Sequence, residues 1–369
     1  MREHWPEYMS EFLGTAIMMT IGVGAITLMW GDGSPVPAVI PPARLRLLLT
    51  GILFAGGATL VVYSRLGQRS GAHINPAVTL AFWRLGKIRA RDAVAYAGAQ
   101  FLGATAGVLV VRLAAGQLAW GVPVRLGLTQ PGEGIHPLVA FAAEIGITFL
   151  LVGVILVFVN RPRLAPRTGL VAGALVAFLV TVEAPVSGTS LNPARSLGPA
   201  VVTASFVHQW IYLLAPPLGA LLAVGLFGRR GGAKTQPLCA KLYHTERYRC
   251  IFANCAYHRV RAGETLVHEG EDSDRAFVIE RGEVEVRKKD EHGREVVLAR
   301  LGSPQWVGEM GLLLNQPRSA SVVAVTDLQL RPITRENFSH VIAEHPETAL
   351  EVMRQLSQRL FEADRRLVL

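Results

Sequence analysis

Six long apolar stretches dominate the first two-thirds of the chain, near residues 10–30, 47–64, 93–115, 137–159, 168–186 and 208–228. Each approaches the roughly 20 residues with which a helix crosses a bilayer. Past about residue 240 the pattern changes. The short Val-rich runs TLVHEG, AFVIERGEVEVRKK, EVVLARL and ASVVAVTDLQL are bounded by Gly or charged positions and predict strands of a small β-barrel or roll. Residues 335–345 and 347–366 then return to helical spacing, with Leu350, Met353, Leu356, Leu360 and Leu367 near one stripe. The pattern therefore predicts an all-α membrane bundle over 1–230, a Gly-containing polar linker over 231–244, and a C-terminal α+β domain over 245–369.

Composition and charge agree with that division. Of 369 residues, half are hydrophobic and only 18% are charged, which excludes a disordered or fibrous chain. Residues 1–239 carry 18 Lys and Arg against 8 Asp and Glu, a net charge of +10; the remainder carries 19 against 20, a net charge of −1. The basic pI of 9.9 thus arises in the apolar half, and reads as loop charge rather than nucleic-acid affinity. With the N-terminus inside, the inner loops hold Arg65, Arg69, Arg84, Lys87, Arg89, Arg91, Arg161, Arg163, Arg167, Arg229, Arg230 and Lys234; the outer loops hold only Arg44, Arg46, Arg112 and Arg125. That bias predicts six spans with both termini cytoplasmic. Three glutamates before Phe12 and the lack of a clear cleavage site argue against a signal peptide. Gly103/Gly107 and Gly169/Gly173 have the four-residue spacing that lets membrane helices approach closely. Cys239, Cys250 and Cys255 lie near the junction, and their spacing matches no common zinc pattern, so reduced cysteines are expected and no metal.

Two loops repeat one another. Residues 70–83 read SGAHINPAVTLAFW and residues 187–200 read SGTSLNPARSLGPA, with the Asn-Pro-Ala triplets 117 positions apart. Glu11 and Thr15 open the first span, and Glu144 and Thr148 echo them in the fourth. A repeat of three spans must insert its second copy upside down, which brings the special segments together near a pseudo-two-fold axis. Asn is a good N-cap, and Pro suits the first helical position because its missing N–H would be unpaired there. Asn75-Pro76 and Asn192-Pro193 should each open a half-helix too short to span. Two such N-termini meeting give a positive field that repels cations, while the Asn amides donate to a passing neutral oxygen. An arginine in an apolar segment, Arg195, points independently to a polar cavity.

Residues 1–230 resemble the aquaporin and aquaglyceroporin (major intrinsic protein) family, on the two Asn-Pro-Ala boxes, the second continued by Arg195, in six spans with paired glutamates. The resemblance implies a passive channel, tetrameric, with one pore per subunit in the cell's inner (plasma) membrane. It implies pore residues Asn75, Pro76, Ala77, Asn192, Pro193, Ala194 and Arg195. Counted without gaps, the constriction falls on Ala55, Val180, Thr189 and Arg195, wider and more apolar than in water-selective members and without the aromatic clamp of glycerol facilitators. Ser196 stands where glycerol channels commonly have Asp, so both water and small neutral solutes stay open as permeants. Glu11 and Glu144 match the buried glutamates that hold the re-entrant loops, and His73 lies near the cytoplasmic vestibule, expected as a hydrogen-bonded structural histidine with pH sensing as the alternative.

In the second domain, Gly308 permits close backbone approach, residues 309–314 suit one short helix whose amides could hold an anion, and Arg318 adds a bidentate phosphate donor. Glu309 beside a phosphate site makes sense as an acceptor for a sugar hydroxyl. The run resembles the phosphate-binding cassette of cyclic-nucleotide-binding domains, as do the upstream R-A-G-E-T-L-V and V-I-E-R-G-E-V-E-V. That resemblance implies binding through Gly308, Glu309, Met310, Arg318 and Ser319, with Glu309 on the ribose 2′-hydroxyl and Arg318 on the cyclic phosphate. Ser319, rather than Thr, favours cAMP over cGMP. The expected ligand is a regulatory cyclic nucleotide, with no tightly bound cofactor and no catalytic residues. No helix-turn-helix follows the roll, so DNA is not an expected partner. A channel gated by the nucleotide is the leading expectation; a constitutive pore with a scaffolding domain is the alternative.

Overall fold

In the computed structural model the described residues are 4–161, 163–231, 239–244, 251–252, 258–273, 275–290, 292–335, 338 and 346–367. The chain divides into two compact units, Met1–Phe252 and Ala253–Leu369.

The first unit is helical. Its long helices are α1 (Trp5–Trp30), α2 (Ala43–Tyr63), α4 (Ala90–Ala115), α5 (Pro137–Val159), α6 (Thr168–Ser187) and α8 (Gln209–Gly231); two shorter ones, α3 (Pro76–Arg84) and α7 (Pro193–Thr203), follow the Asn-Pro positions. All six long helices are apolar enough to cross a membrane. Apolar side chains also cover their outer faces, as at Leu60, Leu102 and Leu113, the pattern of a bundle whose surroundings are lipid. Within the repeats, α1 packs on α4 and α5 on α8, while α2 and α6 join the two halves. The predicted small-residue spacing is used. A Cβ at Gly103 or Gly107 would run into the backbone of α1, and one at Gly169 or Gly173 into side chains of α2.

Among its described residues the second unit holds eight short strands: β1 (His258–Val260), β2 (Thr265–Val267), β3 (Arg275–Arg281), β4 (Glu283–Lys289), β5 (Glu295–Gly302), β6 (Trp306–Val307), β7 (Ser321–Ala324) and β8 (Leu328–Thr334). They form two antiparallel sheets, β1-β8-β3-β6 and β2-β7-β4-β5. Strand alternation sorts the core into two layers. Phe277, Ile279, Val284, Leu301, Val322 and Leu330 fill the interior of the roll. Ala276, Val278 and Ile333 face the other way and pack with Leu312 of α9 (Glu309–Leu314) and Val352 of α10 (Pro346–Leu367).

Two expectations change. The inward stripe of α10 is formed by Val352, Gln355 and Leu356, while Leu350 and Met353 are exposed; the roll, not the strongest leucine periodicity, decides which face it covers. Residues 239–244, expected as part of a polar linker, belong to the first unit, with Cys239, Ala240, Lys241 and Leu242 buried. Most of the helix expected over 335–345 lies outside the described residues, as do Cys250 and Cys255.

Candidate functional site

Both half-helices begin as their sequences dictate. Asn75 is extended (φ −155°) and its side-chain oxygen accepts from Ala77 N; Asn192 (φ −150°) accepts from the amides of Ala194 and Arg195. In each case Pro occupies the first helical position. The asparagine amides then reach across the repeat. Asn75 Nδ2 donates to Leu191 O at 2.9 Å, and Asn192 Nδ2 donates to Ile74 O at 2.8 Å. An amide carries two N–H donors, so one from each asparagine is left for the cavity that both side chains line.

Glutamates fix the loops that lead into these helices. Glu11 Oε1 accepts from Ser70 Oγ (2.6 Å) and His73 N (3.0 Å), and its Oε2 from Ile74 N and Gln100 Nε2 (both 2.7 Å). Glu144 Oε1 accepts from Ser187 Oγ and Ser190 N (both 2.6 Å), and its Oε2 from Leu191 N (2.9 Å). Both carboxylates are fully buried. They offset the cost of a backbone that residues other than glycine seldom adopt: Ala72 and Ile74 in one loop, and Thr189 and Leu191 in the other, have φ between 40° and 56°.

The cavity runs between these loops. It is lined by Asn75, Asn192 and Arg195, by the apolar Met18, Phe54, Val78, Leu151 and Ile155, and by Leu242. Arg195 is buried, donates Nη1 to Gly127 O at 2.7 Å, and sits 5.4 Å from the Phe54 ring centroid. Thr59, His73 and Ser190 also border it, so a mostly apolar passage carries two amides, one guanidinium and a few other polar side chains.

Residues 1–227 match the family described as "Major intrinsic protein". The chain belongs to that family. Among its relatives are the glycerol uptake facilitator protein-like 6 of Lactiplantibacillus plantarum, 36% identical over 59% of this chain and 94% of the relative, and aquaporin NIP1-4 of Oryza sativa, 38% identical over 58% of this chain and 72% of the relative. The X-ray structure of the aquaglyceroporin from Plasmodium falciparum has the same fold, with a TM-score of 0.52 and 24% identity, covering 61% of this chain and 96% of that one. Residues 257–345 match the cyclic nucleotide-binding domain, so this major intrinsic protein joins a channel-family unit to a unit resembling a nucleotide-binding domain.

Of the positions counted for the constriction, Ala55 and Arg195 line the cavity, as does Phe54 beside Ala55 on α2, whose ring centroid lies 5.4 Å from the Arg195 guanidinium. Val180 packs toward Gly51 of α2, and the Thr189 hydroxyl donates to Glu183 Oε2 at 2.6 Å. Ser196 is buried and bonds to Ser190 and Thr129. Sequence reading also missed Tyr96 and Tyr212, whose hydroxyls donate to Ser70 O and Ser187 O at 2.7 and 2.6 Å. Their separation of 116 residues, one short of the Asn-Pro-Ala spacing, was the available signal.

In the nucleotide-binding unit, α9 spans the expected six residues behind Gly308 (φ 78°). Arg318 is buried and donates to the carbonyls of Gly308 and Arg275 at 2.9 and 2.6 Å, while Met310 and Ser319 are exposed. Glu309 is buried, and Arg359 of α10 donates to its Oε1 at 2.7 Å. Burial pushes the Glu309 carboxyl above the ordinary carboxylate range, against the opposing pull of Arg359. Its Oε2 is buried without a hydrogen-bond partner among the described residues, which fits an acceptor for a ligand hydroxyl. Arg359 gave no motif signal, because its role depends on where α10 crosses the roll.

Proposed function

We propose that the protein is a passive membrane channel for water and small neutral solutes, gated by a cyclic nucleotide, with cAMP preferred. The observation that carries the pore reading is the reciprocal pair of amide bonds, Asn75 to Leu191 and Asn192 to Ile74, at the meeting point of two half-helices beside an apolar cavity. A neutral solute oxygen there accepts from the remaining amide protons. A cation meets two helix N-termini and Arg195. The nucleotide reading rests on Glu309 Oε2 and on Arg318, which would hold the ribose hydroxyl and the cyclic phosphate. The chain would work as a homotetramer in the plasma membrane, with both termini cytoplasmic.

A nucleotide changes the pore only by binding its open and closed states differently. The test is the osmotic shrinkage rate of vesicles containing the full chain, with and without internal cAMP. A changed rate supports gating; an unchanged rate with nucleotide binding confirmed rejects it. Arg318→Glu should abolish the response and leave flux without nucleotide as it was.

A further inference from the structure

The chain that leaves α8 does not stay in solvent. Cys239, Ala240, Lys241 and Leu242 are 1, 0, 2 and 5% exposed, and Phe252 is 4% exposed, whereas a connecting segment between domains normally runs over the surface. All of these residues belong to the first unit, packed on the loop that opens the first half-helix. We propose that Cys239–His244 together with Phe252 form a plug that closes the pore at the Gly71 end. The proposal rests on reading the cavity as the conduction path.

The segment is seated by specific bonds rather than by greasy contact alone. Leu242 N donates to Gly71 O at 3.0 Å, and Lys241 Nζ donates to Gln68 O at 2.7 Å, in the last turn of the short helix Arg65–Ser70. His73 Nε2 donates to Ala240 O at 3.0 Å; a carbonyl can only accept, which fixes the proton on that nitrogen. The His73 ring is sandwiched between Phe82 and Phe252, with centroids 5.0 and 5.3 Å away and both pairs nearly parallel. Tyr243 meets Tyr63 of α2 edge-on at 4.7 Å. Gly71 adopts φ 95°, and a Cβ there would press on the Phe252 ring and Lys241 Cα. The loop surface is therefore shaped to receive this segment.

What the segment contributes to the passage is apolar. Leu242 lines the same cavity as Asn75 and Asn192. Its side chain offers a passing solute no donor or acceptor, and the segment occupies His73 Nε2, the ring nitrogen that Thr79 leaves free, through Ala240 O. A hydrophobic constriction of this kind closes a pore by dewetting as well as by bulk. Phe252 is the last residue of the membrane unit and Ala253 the first of the nucleotide-binding unit, so the covalent chain itself carries any pull on the plug.

The test uses the full chain in lipid vesicles without nucleotide. Leu242→Asp combined with Phe252→Ala removes the apolar anchor and places a charge where burial is costly. Two quantities are read: water flux by stopped-flow light scattering, and the rate of maleimide labelling at Cys239, resolved by peptide mass spectrometry. The wild type should conduct little above empty vesicles and label slowly at Cys239. In the double variant both rates should rise together, flux by roughly tenfold. Faster Cys239 labelling with the wild type already conducting at the variant's rate overturns the plug and leaves the pore reading intact. Faster labelling with neither protein conducting overturns the pore reading and the plug with it.

Discussion

The two re-entrant loops share one scaffold and diverge at their ends. Each has a glutamate behind it, a serine hydroxyl on that glutamate, a tyrosine on the serine carbonyl, and an asparagine capping its half-helix and reaching across to its twin. At one end of the cavity the second half-helix supplies Arg195, held by Gly127 O beside Phe54. At the other, the first loop supplies only backbone and His73, and both are covered by residues 239–242 and Phe252. The repeat thus fixes the centre, where symmetry places two donors. The ends are free to differ, one carrying a charge and the other a removable cover.

The largest effect should come from the glutamates. Glu11 accepts four hydrogen bonds and Glu144 three, and two of each set come from loop amides. Glu11→Ala should cost about 3–5 kcal/mol by stranding buried donors, with Glu144→Ala somewhat milder. Thermal unfolding in detergent measures this; equal losses in Tm would mean that the Gln100 contact contributes nothing. Next come the matched glycines, Gly71 and Gly188, with φ of 95° and 82°. Alanine at either should cost about 1–2 kcal/mol of backbone strain. Only Gly71→Ala also presses on Phe252, so only that variant should raise vesicle water flux; a rise with Gly188→Ala would erase the distinction between the two ends.

Phe54 tests the Arg195 end. Phe54→Ala should raise the glycerol-to-water flux ratio by about tenfold, the scale on which a lost apolar contact alters discrimination. An unchanged ratio would place the constriction elsewhere. The smallest effects belong to the tyrosines. Tyr96→Phe and Tyr212→Phe each remove one hydrogen bond to a loop carbonyl and should each cost about 1 kcal/mol, read as matched Tm shifts. A marked inequality between them would show that the two scaffolds are not energetically equivalent.

Much of this was legible along the chain because it depends on local rules. Asn-Pro specifies a capped helix start from its own donors and torsions, so Pro76 and Pro193 open α3 and α7 as expected. The glutamates at 11 and 144 were visible as a repeat, and the six-residue helix behind Gly308 followed from its glycine and its apolar run. Phe54 and Ala55 are adjacent and apolar, and pattern cannot say which faces Arg195; that depends on the rotation of α2 against α1 and α6. Arg359 meets Glu309 across fifty residues.

Length, hydropathy and an inverted repeat of Asn-Pro-Ala by themselves determined a six-span channel scaffold, and a Gly-Glu helix with a following Arg-Ser determined a nucleotide-binding roll, because those features act through bonds between near neighbours. The placement of residues 239–244 and Phe252 was decided only by tertiary structure. Their sequence is mixed and unremarkable, and it becomes a cover only because Gly71, Gln68 and His73, some 170 positions earlier, offer a carbonyl surface and a ring of matching shape.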